Sequence, residues 1–118
     1  MTMGKSFDTH GPMGPWLVTA DEVAEPHGLG LRTWVNGELR QDSNTKELIF
    51  DCFALVEHLS TAFTLEPGDV VSTGTPSGVA LGRKPPPWLQ AGDVVRIEIE
   101  GIGQIENPVI DEPETELI

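Results

Sequence analysis

The sequence predicts an α+β domain that is mostly β, and three observations carry that prediction. Among 118 residues there are 13 Gly and 10 Pro, which cut the chain into short segments and suit turns better than a helix bundle. Apolar and charged residues alternate in Val94-Val95-Arg96-Ile97-Glu98-Ile99, the period of a strand with one wet face. Only one segment has helical period: Ile49, Cys52, Phe53, Val56, Leu59 and Phe63 recur at three and four residues, giving one main amphipathic helix over about 50–63.

The elements follow in order. Residues 1–15 read as a loop punctuated by Gly11, Pro12, Gly14 and Pro15. Trp16-Leu17-Val18 suits a short strand, and Thr19 to Val23 a capped helical turn that ends before Pro26. Leu31 to Val35 and Glu38 to Gln41 form a hairpin around Asn36-Gly37, because Asn-Gly supplies both positive-φ positions of a type I′ turn. After the helix, Glu66-Pro67-Gly68-Asp69 turns into a strand over 69–72. Arg83 to Pro87 is a proline-rich loop, Ala91-Gly92-Asp93 turns into the strand 94–99, and Glu100-Gly101 leads to a last strand near 102–110. Neither a repeat nor a linker is visible. The expected organisation is one unit over 1–110 followed by an acidic tail over 111–118, where Asp111, Glu112, Glu114 and Glu116 crowd together.

Composition narrows the function classes. Seven Lys+Arg against 19 Asp+Glu give a net charge of -12, which argues against nucleic acid and anionic membranes as partners. A single cysteine, Cys52, excludes an internal disulfide framework and fits a reducing compartment. The chain shows neither a signal peptide nor an apolar run long enough to span a bilayer, so a cytoplasmic protein is expected.

The segment richest in chemistry is Val71-Ser72-Thr73-Gly74-Thr75-Pro76-Ser77-Gly78-Val79. Glycines admit close approach of backbone N–H groups to a ligand and hydroxyls add donors, so the turn suits a carboxylate or an enolate oxygen. A purely structural strand-to-loop transition fits the same residues. The segment lacks the Gly-Lys-Ser/Thr ending of a phosphate loop, which removes a nucleotide reading. Lys5, in Gly4-Lys5-Ser6-Phe7-Asp8-Thr9, suits pairing with a substrate carboxylate or donation to a developing oxyanion; by itself it also fits an ordinary solvated lysine. Asp8 and His10 either partner that lysine or cap turns. Glu98 and Glu100 share a strand face and invite a divalent cation. Their alternation with Ile97 and Ile99 is instead that of an ordinary wet face. Glu57 and His58 belong to the helix's solvent side, and Cys52 to the core. No Cys/His cluster suits zinc, and no Ser/His/Asp set can be picked out.

Several segments together resemble the fumarylacetoacetate hydrolase family. They are Gly4 to Trp16, Val35-Asn36-Gly37-Glu38, Gln41-Asp42-Ser43-Asn44-Thr45, Leu65-Glu66-Pro67-Gly68-Asp69, Ser72 to Val79, Gly92 to Val95 and Glu98 to Gly103. They run in order from residue 4 to about 110. The resemblance implies a mixed β-roll or sandwich of that family's C-terminal type, here an incomplete copy. It implies chemistry on small 2-oxo or β-diketo acids, as in aromatic catabolism: C–C hydrolysis, decarboxylation or keto–enol isomerisation with Mg²⁺ or Mn²⁺ bound. By resemblance Lys5 and Thr75 are the catalytic positions, and Lys5, Gly74 and Thr75 contact the substrate.

The departures carry expectations too. In the family the metal is held by a Glu-x-Glu pair and an aspartate upstream of the lysine segment, and Lys5 lies four residues after Met1. Metal ligands are therefore not expected in this chain, nor is the upstream lid with its histidine and acidic residue. His10 stands where relatives often carry an aromatic ring. The isolated chain is expected to bind Mg²⁺ poorly and to turn over nothing. Three roles remain open: a piece of a complete or split enzyme, a non-catalytic module, or a product without a role. Unpaired strand edges and exposed apolar surface predict a homodimer, or association with a chain that carries the upstream half.

Overall fold

Asn36 and Gly37 hold φ values of 51° and 80°, and there the chain folds back to join β1 (Gly30–Val35) to β2 (Glu38–Asn44). That type I′ hairpin seeds the sheet. In the computed structural model, which describes Gly4, residues 6–23 and residues 25–112, β3 (Val94–Ile99) pairs with the other edge of β1 and β4 (Gly103–Pro108) with β3. The strand order is β2-β1-β3-β4, with every pair antiparallel. Among the described residues one α-helix, α1 (Cys52–Ser60), stands between β2 and β3 in the chain, with short 3-10 turns at Thr45–Glu47 and Ala80–Gly82. The mostly β class with one main helix is thus the observed one.

The pairing sorts the side chains into two faces. Leu31, Thr33 and Val35 lie in rows with Ile99, Ile97 and Val95, and the rows continue to Gly103, Ile105 and Asn107. The opposite face carries charge. Arg32 reaches Asp42 at 3.3 Å and Glu98 at 3.8 Å across its two neighbouring strands, and the Arg96 guanidinium stacks 4.2 Å above the Trp34 ring. Opposite charges directly across strands are favourable pairs, and an arginine over a tryptophan face adds a cation–π contact.

Between Thr33 and Trp34 the β1–β2 register shifts: Trp34 pairs with Leu39 but Thr33 pairs with Gln41, so Arg40 is the extra residue of a bulge. The bulge turns Gln41 and Ser43 to the face shared with Leu31 and Thr33.

Two turns are built alike. In Glu66-Pro67-Gly68-Asp69 the aspartate N–H donates to the Glu66 carbonyl at 3.1 Å and its carboxylate accepts from the Glu66 N–H at 2.9 Å. Gln90-Ala91-Gly92-Asp93 repeats the pattern at 3.0 and 2.9 Å, with positive φ at Gly68 (101°) and Gly92 (95°). Trp16 fastens the N-terminal loop across the β3–β4 turn. Its indole N–H donates to the Ile102 carbonyl at 2.8 Å, and the ring lies on Gly103, where a Cβ would come within 2.7 Å of Cζ2.

Several expected elements differ. Trp16-Leu17-Val18 and 69–72 are irregular and belong to no sheet among the described residues. Thr19 to Glu22 is a single turn, closed by Glu22 N–H to Thr19 O at 3.0 Å. The helix is shorter than 50–63: Asp51 caps it, its carboxylate accepting from Ala54 N–H at 2.7 Å, and it ends at Ser60. Its apolar stripe does not face a core. Phe53 is 68% and Val56 48% exposed, and Cys52 is half-buried. Among the described residues no side chain is fully buried. None of the helices in the described residues is long and apolar enough to cross a membrane.

Candidate active site

The site is built where the 72–79 turn meets the edge strand β2. Gly74 and Gly78 take φ of 112° and 107°, conformations that L side chains rarely adopt. Gly78 sits directly against the bulge: a Cβ there would overlap the Arg40 carbonyl oxygen, so only glycine lets the turn close onto β2. Next to it the Gln41 amide nitrogen donates to Thr75 Oγ1 at 3.0 Å and to the Pro76 carbonyl at 3.0 Å.

The docked turn leaves Thr75 exposed on a cleft of about 700 Å³. Thr73, Gly74, Thr75 and Ser77 form one side, Leu31, Ser43 and Ile99 of the sheet form the floor, and Leu48, Ile49, Phe50 and Leu55 supply an apolar wall. That is a volume suited to a small organic ligand, and its lining mixes hydroxyls, backbone groups and the Glu47 carboxylate with the apolar side chains. Thr45 and Asn44 at the rim hold the chain before β1. The Leu29 N–H donates to Thr45 Oγ1 at 2.9 Å, and Asn44 Nδ2 donates to the Gly28 carbonyl at 3.0 Å.

The helix is tied to the same neighbourhood by His27. Its Nε2 accepts from the Cys52 N–H at 3.0 Å, and its ring meets Phe53 edge-on with centroids 5.0 Å apart. Glu25 accepts from the His27 N–H at 2.9 Å and lies 3.4 Å from Nδ1.

The other residues singled out by sequence fall elsewhere. Lys5 lies outside the described residues, as do 113–118 of the acidic tail. His10 is exposed and packs on Phe7, with ring centroids 4.9 Å apart, and Asp8 is exposed. Glu57 and His58 are on the solvent side of α1. The wet-face carboxylates are both engaged: Glu98 faces Arg32, and Glu100 accepts from the Gly30 N–H at 3.1 Å. Among the described residues no three His, Cys, Asp or Glu side chains gather into a group that could hold a metal ion. The residues described here therefore do not fit a divalent cation site.

Gln41 opens the Gln41-Asp42-Ser43-Asn44-Thr45 segment of the family resemblance, but no role at the site is read for it there. In an unbulged Asn-Gly hairpin it would sit across from Arg32 on the charged face; the extra residue Arg40 moves it opposite Thr33.

Comparison with known proteins is consistent along the chain. Residues 1–110 match the model of the fumarylacetoacetate (FAA) hydrolase C-terminal family. The oxaloacetate tautomerase fahd2, mitochondrial, of Xenopus laevis is 55% identical over 92% of this chain and 34% of its own length. The fumarylacetoacetate hydrolase of the psychrophile Exiguobacterium antarcticum is 46% identical, with a TM-score of 0.89 over 93% of this chain and 39% of that one. Maleylpyruvate hydrolase from Sphingobium sp. SYK-6, solved with manganese(II) and pyruvate, is 39% identical, with a TM-score of 0.84 over 93% of this chain and 39% of that one. The chain thus spans between a third and two-fifths of the length of these relatives.

Proposed function

From the premise that the chain belongs to the fumarylacetoacetate hydrolase family, we propose that it carries the substrate-holding part of an active site for small 2-oxo or β-diketo acids. The reaction class is C–C hydrolysis, decarboxylation or keto–enol isomerisation; the names of its relatives, a tautomerase and two hydrolases, support hydrolysis and isomerisation. Residues 1–110 are assigned to the family's C-terminal catalytic portion, with 111–118 as an acidic tail. The observation that carries the reading is the docked 72–79 turn, whose Thr75 stands exposed on the cleft.

In this reading Thr75 and the Gly74 backbone receive the substrate carboxylate or its 2-oxo oxygen. Lys5 provides a second, cationic donor. Fixed donors aimed at an oxygen where charge develops stabilise an enolate more than its ketone, and they do so without reorganising water. Orientation contributes as well, because a small acid held by one end presents its reacting carbon in one direction. Mg²⁺ or Mn²⁺ is the cofactor implied by the family, and the manganese in maleylpyruvate hydrolase supports a divalent ion. The described residues form no cage for one, so the roles assigned to this chain are binding and orientation. The isolated chain is then inactive; it forms a homodimer or associates with a chain that carries the cation site, and only the second completes the site. A reducing compartment suits its single free cysteine, Cys52.

Replacing the matched region of the Xenopus laevis tautomerase with this chain tests the reading. With Mg²⁺ or Mn²⁺ the chimera is expected to tautomerise oxaloacetate, and this chain alone is not. Thr75→Val in the chimera is expected to lower kcat/KM by about 10²–10³-fold, the usual loss for one oxyanion donor. Turnover by the isolated chain would overturn the assignment of half a site, and an undiminished Thr75→Val chimera would overturn the role of Thr75.

A further inference from the structure

We infer that Gln41 sets the hydrogen-bond polarity of Thr75, so that its hydroxyl proton is left to donate into the cleft toward an anionic oxygen. The inference deepens the reading of Thr75 as a substrate-holding residue and rests on it. The geometry fixes the sense of every bond. The Pro76 carbonyl can only accept, so the Gln41 side-chain atom 3.0 Å from it must be the amide nitrogen and not the amide oxygen. The same nitrogen lies 3.0 Å from Thr75 Oγ1. Its two protons therefore go to Pro76 O and to Thr75 Oγ1, and the threonine hydroxyl is an acceptor toward Gln41. A hydroxyl has one proton and two lone pairs. With one lone pair taken by Gln41, its proton points elsewhere, and Thr75 is exposed on the cleft side.

A hydroxyl biased toward donation selects ligands that present lone pairs without protons: a carboxylate, an enolate or a 2-oxo oxygen. It discriminates against an alcohol or amide donor at the same spot. Gln41 touches no ligand in this arrangement. It is a positioning residue acting through Thr75, and the β-bulge at Arg40 is what turns it toward the 72–79 turn.

The test is a pyruvate titration of the ¹⁵N-labelled chain, followed by NMR, with Gln41→Met, Thr75→Val and the double variant. Each single change is expected to raise the pyruvate Kd by about five- to tenfold, the range for losing one hydrogen bond, with the charged acceptor toward the upper end. The double variant is expected to bind no worse than Thr75→Val, because Gln41 acts only through the hydroxyl that Thr75→Val removes. Should Gln41→Met not fold, Gln41→Glu keeps the shape, reverses the polarity toward the hydroxyl and is expected to lose more. Gln41 variants that bind pyruvate as tightly as the unsubstituted chain, or losses that add in the double variant, overturn this inference and leave the substrate reading standing. Absence of any pyruvate response in the unsubstituted chain overturns both.

Discussion

Asp93 shows how one carboxylate joins two strands. Its Oδ1 accepts from Asn36 Nδ2 at 2.8 Å and its Oδ2 from the Gln90 N–H at 2.9 Å, while Asn36 Oδ1 accepts from the Val94 N–H at 2.9 Å. The turn residue of the β1–β2 hairpin thus also fastens the start of β3. The Asn36 amide, then the Gln90 N–H, hold the Asp93 carboxyl below its ordinary value, and Arg40 adds a smaller pull in the same direction. A carboxyl with a depressed folded-state value stabilises the fold above its unfolded value of about 3.9 and loses that contribution as pH falls through the folded value. The urea midpoint of Asp93→Ala is therefore expected to lie below that of the unsubstituted chain at pH 6, with the gap narrowing below about pH 4. A gap that stays constant down to pH 2 would refute the linkage. Asn36-Gly37 was legible in the sequence because two positive-φ residues between alternating strands have one common use. The neighbouring bulge was not legible, since nothing in Glu38-Leu39-Arg40-Gln41 distinguishes an extra residue from a regular one, and that single residue decides which face Gln41 presents.

At the scale of elements, the sheet was readable and the pieces around it were less so. Strands 31–35 and 94–99 pair within this chain, and local alternation sufficed to find them. The segments 16–18 and 69–72 have strand-like composition, yet a strand needs a neighbour, and they belong to no sheet among the described residues. The helix has the right period but no core to face. The 72–79 turn is held against β2, which makes its glycines unequal. Gly74 and Gly78 both have positive φ, but a Cβ on Gly74 meets nothing within 4 Å, whereas one on Gly78 overlaps the Arg40 carbonyl. Gly74→Ala therefore pays only for its backbone conformation, about 1–3 kcal/mol. Gly78→Ala adds displacement of the whole turn from the strand. In urea denaturation Gly78→Ala is expected to be the more destabilised of the two, and its Gln41 side-chain amide resonances to lose their contact with Thr75. Equal losses with the Gln41–Thr75 contact intact would count against docking of the turn by close approach at Gly78.

At the scale of the molecule, surface area decides what the chain needs. It exposes 9923 Å², where a compact monomer of its mass exposes about 6300 Å². Its radius of gyration is 16.3 Å, against about 13.5 Å for a compact domain of this length. Much of the exposed area is apolar: Ile49 is 92%, Leu17 81%, Leu81 77%, Phe53 68% and Phe50 65% exposed. Patches of this kind mark interaction surfaces. An obligate dimer of ordinary size covers about 1000–2500 Å² on each copy, less than the roughly 3600 Å² in excess. Pairing with one identical copy thus leaves apolar surface uncovered, including the wall of the cleft at Ile49 and Phe50. The family relatives are between two and three times as long as this chain. The isolated chain is expected to associate in light scattering, its mean mass rising with concentration from dimers to larger species, and to bind a dye specific for exposed apolar surface. The tautomerase chimera is expected to be monodisperse and to bind far less of the dye. A monodisperse monomer of the isolated chain that leaves the dye unbound would show that its apolar surface needs no partner, and with it the argument for a shared site would fall.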